Sequence, residues 1–312
     1  MSANSDFHKN CAKLRDWAKR IKELNPGCIA EVESLKVDGQ EYFDRLFWMP
    51  SQTVGMAHAN ILLPICGIDG FHLKYHGLDH ILMLVTGRTG SWNNVVLAAA
   101  IVESESTDQV KWVLKLLVDQ LGFWLNADTM LVISDRGPGI RAAIHDVLHK
   151  SHHMFCALHL LDNLEAHCRR KGMLLSDDAK LLFNTLKSAE TLDEFQDAWQ
   201  ALHYINPQAS QYLSTVGSGK GQERDDSECD EDEDEPERGE LTDMNYALST
   251  DERNRQRATW SYAYIRRLNE REGKQIRTFN QATSNLAEQQ GRAHRKIREE
   301  DLLNMMNRLA EK

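Results

Sequence analysis

The sequence has no long apolar run. Its longest, Val95 to Val102, holds eight residues, far short of the roughly 18 that a membrane-crossing helix needs. The opening stretch, MSANSDFHKNCAKLRDW, lacks the apolar core of a secretion signal. Six cysteines are scattered at positions 11, 28, 66, 156, 168 and 229, and no two form a CxxC pair. That spacing excludes a zinc finger or zinc ribbon and argues for reduced thiols in an intracellular protein rather than a disulfide framework. No internal repeat is present. What remains is a globular composition: 312 residues, 41 % hydrophobic, enough for one large domain or two smaller ones.

The net charge of −10 looks wrong for a partner of nucleic acid until it is located. Residues 223–240 (ERDDSECDEDEDEPERGE) carry 12 acidic and 2 basic residues, which accounts for all of it. Residues 251–298 carry 12 Arg or Lys against 5 Asp or Glu. An acidic loop therefore lies beside a basic segment.

Phe7, Cys11, Leu14, Trp17, Ile21 and Leu24 form one stripe at helical spacing, stopped by Asn25-Pro26-Gly27. Strand-like runs follow over 28–37 and 41–48, joined near Asp38-Gly39, and 50–59 reads as a linker. From Ile61 three apolar strands are expected over 61–68, 80–87 and 95–103. A helix capped at Ser106 or Thr107 and ending at Gly122 comes next, then a strand at 129–134, a helix opened by Pro138 and a short strand at 153–157. Residues 158–204 read as three amphipathic helices, and periodicity is lost after Pro207. Disorder is expected over about 217–250, and helical periodicity returns later.

The order β-β-β-α-β-α-β is that of a ribonuclease H-like fold. The predicted class is therefore α/β (α+β): a mixed five-stranded sheet flanked by helices, with an all-helical insertion before a last helix. The expected organisation is an N-terminal helix and hairpin over 1–60, the first part of the core over 61–159, the insertion over 160–280 and a returning helix over 281–312. In such a fold the first and fourth strands are neighbours. Asp69 in ILLPICGIDGFHLK and Asp135 in MLVISDRGPGI, 66 residues apart, would then meet at adjacent strand ends. Like charges at short range raise one another's pKa, so such a pair stays ionised mainly through a divalent cation, magnesium or manganese for hard oxygen ligands. Simpler readings stand beside this one: Asp69-Gly70 as a turn, and Asp135 as the cap of the helix at Pro138.

The segments IDGFHLKYHG (68–77), LAAAIVESES (97–106), ISDRGPGIRAAI (133–144), FCALHLLDN (155–163) and TSNLAE (283–288) together resemble the Mutator-like (MULE) transposases, a DDE group. The resemblance runs from about Phe47 to the end of the chain. It implies Asp69, Asp135 and Glu288 as catalytic and metal-ligating acids holding two magnesium or manganese ions roughly 3.5–4 Å apart. The implied reaction is DNA phosphodiester cleavage and strand transfer, with transposon ends and target DNA as substrates, a homo-oligomeric active complex and, in a eukaryote, a nuclear location. Glu288 stands three residues after Asn285, where a capping-box glutamate would also stand; Glu103 and Glu105 are reserve candidates for the third acid. Members commonly carry a CxxH pair, here Cys156 and His159, with orientation of the active-site edge as its expected role. Arg266, Arg267, Lys274, Arg277, Arg292, Arg295 and Lys296 flank Glu288 in sequence and are candidate phosphate contacts.

Members often also carry a zinc-binding DNA-recognition module and a cysteine/histidine-rich motif, and neither pattern occurs in these 312 residues. The expectation is a truncated copy, a core fragment or a domesticated derivative. The alternative function is accordingly a non-catalytic DNA-binding or chromatin-associated protein that keeps the fold.

Overall fold

The computed structural model describes residues 3–37, 40–73, 80–216, 266, 269, 273 and 302–310. In chain order the elements are α1 (Ala3–Leu24), β1 (Ile29–Val37), β2 (Gln40–Met49), α2 (Ser51–His58), β3 (Leu62–His72), β4 (Ile81–Thr89), β5 (Asn94–Val102), α3 (Thr107–Leu125), β6 (Leu131–Ser134), α4 (Pro138–Val147), β7 (His152–Phe155), α5 (Ala157–Arg170), α6 (Asp177–Ser188), α7 (Leu192–Ile205), α8 (Pro207–Thr215) and α9 (Leu302–Ala310). The chain divides into two compact units, Met1–Leu160 with Asn269–Lys312, and Leu161–Leu268.

The first unit is built on a mixed sheet with strand order β1-β2-β5-β4-β3-β6-β7. It has seven strands, not five. The N-terminal hairpin does not stand apart: β2 pairs antiparallel with β5 through Leu46↔Ile101, Phe47↔Ala100 and Trp48↔Ala99, and so extends the sheet by two strands. The hairpin is also anchored to α3, because Trp112 Nε1 donates to Glu33 Oε1 at 2.8 Å and the Arg45 guanidinium lies 4.5 Å from the centre of the Trp112 ring. The expected turn residues Asp38 and Gly39 lie outside the described residues.

Strand alternation sorts the apolar side chains into two layers. Met83 and Val85 of β4, with Phe47, Met49 and Ile68, pack with α3 and α4 through Val113, Leu117, Ile140 and Ile144. Leu82 and Leu84 turn the other way and join Leu46, Trp48 and Ile101, Leu14 and Trp17 of α1, and Met305 and Met306 of α9. β4 is thus covered on both faces, which is why its sequence reads as a continuous apolar run. Leu24, placed on the α1 stripe by spacing, is exposed.

Two expectations fail locally. The stretch expected to be a linker forms α2, whose Thr53 Oγ1 donates to the Leu97 carbonyl at 3.1 Å and whose Ala57 is buried. α3 does not stop at Gly122: Leu125 continues the buried stripe one turn beyond Leu121, and burying a leucine offsets the ~1 kcal/mol penalty of an interior glycine.

The second unit contains α6, α7 and α8. Ser176 accepts from Ala179 N, Thr191 and Glu194 form a capping box, and Asn206 caps α8 through Ala209 N. Phe183, Leu186, Leu202 and Leu213 are buried among them. α8 forms past Pro207, where sequence periodicity had faded; Pro at the first helical position and the Asn206 cap start it. Among the described residues, no helix is long and apolar enough to cross a membrane.

Candidate active site

β3 and β6 pair in parallel, in a register running from Ile65↔Leu131 to Ile68↔Ser134. Asp69 and Asp135 each directly follow the last pair of that ladder, so strand pairing sets the two acids side by side. Asp69 is still within β3, opposite Leu84 of β4, and only 5 % exposed. Its Oδ1 accepts from Gly70 N at 3.0 Å. Asp135 is partly exposed, and its Oδ1 accepts from Gly137 N at 2.9 Å. Gly137 is the N-cap of α4, and no side chain caps that helix. Asp135 therefore closes a tight turn ahead of the helix and is not its cap.

A third acidic side chain, that of Glu105, lies against the glycines of both motifs. A Cβ built on Gly70 would overlap Glu105 Oε1, and a Cβ on Gly139 would overlap the Glu105 carbonyl oxygen. A Cβ on Gly137 would lie 3.1 Å from Asp135 Oδ1 and 3.6 Å from Glu105 Oε2. Glu105 thus covers Gly70, next to Asp69, and faces Asp135 across Gly137. Glu103, two residues earlier, is exposed. From the sequence the two glutamates were equal reserves. The signal that separates them lies in the glycines of IDG and DRGPG, which leave room for one of them.

The end of β6 is braced from β7. Ser134 Oγ donates to the Asp135 carbonyl at 2.8 Å and lies 2.8 Å from His153 Nε2. The hydroxyl has one proton and spends it on that carbonyl, so His153 is the donor at Nε2 and carries the neutral Nε2–H tautomer. Desolvation, helped by the nearby Arg141 charge, pushes the His153 pKa down to about 3, in keeping with a neutral ring.

Cys156 is buried, and its N–H donates to the Ser134 carbonyl at 2.7 Å, tying the start of α5 to β6. One turn into α5, His159 Nε2 comes within 3.9 Å of Asp69 Oδ1. The CxxH spacing therefore puts the cysteine into the core and the histidine at the acids. Among the described residues, no three of His, Cys, Asp and Glu stand ready-made as a metal-binding group. Carboxylate oxygens, the donors Asp69 and Asp135 would offer, are the kind that suits magnesium or manganese.

Of the late basic candidates, Arg266 is exposed, and its Nη1 donates to the Glu190 carbonyl at 3.2 Å within the second unit. Glu288 and Arg267, Lys274, Arg277, Arg292, Arg295 and Lys296 lie outside the described residues.

Residues 65–163 match the family model of the MULE transposase domain. The match spans about a third of the chain and includes Asp69, Glu105, Asp135, Cys156 and His159. No curated protein matches the chain.

Proposed function

We propose, from the match of residues 65–163 to the MULE transposase domain, that the chain is the catalytic core of a MULE-type DDE transposase on a ribonuclease H-like fold, a metal-dependent DNA endonuclease and strand transferase. The observation that carries this reading is the parallel β3–β6 ladder, which delivers two aspartates to neighbouring strand ends. A bound magnesium or manganese ion would supply a Lewis acid that polarises the phosphodiester and neutralises developing charge. Asp69 and Asp135 would hold it, with Glu288 as the third acid.

The rest of the site keeps these carboxylates in place. The Gly70 and Gly137 amides fix one oxygen of each aspartate, one within strand β3 and the other in the turn ahead of α4. The Ser134 and His153 pair holds the carbonyl of Asp135. His159 approaches Asp69 from α5 and orients it. Double-stranded DNA is the substrate, its phosphates met by Arg266, Arg267, Lys274, Arg277, Arg292, Arg295 and Lys296 through charge rather than base readout; a homo-oligomer brings two ends together.

Nicking of supercoiled plasmid by the purified chain with manganese tests the assignment. Wild type nicks and Asp69→Ala does not; equal nicking by both would sink it. One observation favours the second reading, a domesticated DNA-binding protein: the described residues hold no ready-made three-ligand group. Salt-sensitive DNA binding without manganese uptake would select that reading.

A further inference from the structure

We propose that a cavity at the far end of the sheet from the two aspartates binds an uncharged heterocycle of about nucleoside size. The proposal stands apart from the transposase reading and needs no metal ion.

The cavity has a volume of about 560 Å³. A few waters do not fill such a space, and it lies within the roughly 300–1,000 Å³ typical of small-molecule sites. Its walls are the ends of α1 and α9, α2, and the start of β5, all within the first unit. β5 enters the wall at Asn94 to Val96, whereas Asp69 is level with Ala99 through Leu84. Three to five strand positions, roughly 10–17 Å, thus separate the cavity from the acids along the sheet.

The wall selects the chemistry of the ligand. No charged side chain is among the described residues that line it, and burial pushes the Cys28 thiol up, away from the thiolate. A charge brought here would lose its hydration with nothing to replace it. Trp48 lines the cavity at 6 % exposure, and its buried indole N–H has no acceptor among the described residues. An unmet buried donor is unfavourable, so a ligand that brings an acceptor nitrogen or oxygen gains over a purely apolar one. The carboxamides of Asn25, Gln52 and Asn94 add neutral donors and acceptors, groups that suit the edge of a nucleobase. Ile21, Val95 and Leu309 supply the apolar area that ring faces need. Gln52 is exposed and marks the rim, while Trp48, Cys28 and Leu309 are buried.

The test is titration of the full chain with adenosine, followed by calorimetry and by saturation-transfer nuclear magnetic resonance, with folding checked by circular dichroism. Saturable binding of one adenosine per chain is expected. Trp48→Phe keeps an aromatic ring but deletes the N–H, and should weaken binding about tenfold. Ala310→Phe fills the cavity from α9 and should abolish binding. Trp92→Phe changes an exposed tryptophan outside the wall and should leave binding as in wild type. No saturable binding to wild type would overturn the proposal, as would folded Trp48→Phe and Ala310→Phe variants that both bind adenosine like wild type.

Discussion

Acid should loosen the brace behind Asp135 through a single histidine. His153 titrates near pH 3 in the folded protein because its ring is desolvated and Arg141 is close, whereas in the unfolded chain it titrates near 6.5. The unfolded state then binds more protons at any pH between these values, so the stability due to neutral His153 is complete above about 6.5 and drains away as pH falls toward about 3. The gradient approaches ~1.36 kcal/mol per pH unit, so acidification from 6.5 to 4.5 removes at most about 2–3 kcal/mol. That is a large part of a stability typically between about 5 and 15 kcal/mol. Carboxylates also titrate in this range, so the informative quantity is the difference between wild type and His153→Gln, whose amide keeps a donor toward Ser134 Oγ. Urea unfolding at half-unit steps from pH 7 to 4.5 should show the wild-type advantage shrinking as pH falls. The His153 ring proton shift in nuclear magnetic resonance should stay at its neutral value down to about pH 4. A stability difference that is flat across the range, or a ring that protonates near 6.5, would refute the reasoning.

Other outcomes follow from packing and charge. Gly139→Ala should destabilise by about 1–3 kcal/mol in urea, as overpacking does, because the new methyl meets the Glu105 carbonyl. Leu117→Ala should cost about 2–5 kcal/mol, since Leu117 is fully buried between α3 and the sheet. The Cys66 thiol, buried and pushed up to about 12 by desolvation, should resist iodoacetamide until the first unit unfolds, with labelling followed by mass spectrometry. Asp69→Asn should abolish any stabilisation by manganese, read as the loss of the melting-temperature difference between added ion and chelator.

Strand positions were legible because the sheet is buried on both faces and its strands are apolar runs bounded by turn residues. The adjacency of Asp69 and Asp135 followed from element order, and the β3–β6 ladder bears it out. The sheet's full width was not legible: nothing in LFWM says that Leu46, Phe47 and Trp48, besides pairing with Val32, Glu31 and Ala30 of the hairpin, also meet Ile101, Ala100 and Ala99. α2 was missed because SQTVGMAH has no apolar stripe, its buried members being Thr53 and Ala57. Glu105 could not be told from Glu103 because the choice is made in space, by glycines from two other parts of the chain.

The glycines also show how the site is tied together. Each aspartate is followed within two residues by a glycine whose amide binds its carboxylate. The same two glycines leave the space toward which Glu105 turns. One small residue thus does two jobs that a larger one would separate: it presents an N–H to fix an acid, and it omits a Cβ so that a second acid can approach. The strand ladder decides where the aspartates stand, and the missing side chains decide what may stand beside them. Backbone amides and omitted side chains thus shape this part of the protein alongside the side chains that contact the acids, His159 near Asp69 among them. Loss of either glycine should therefore alter the site more than its distance from the sheet core would suggest.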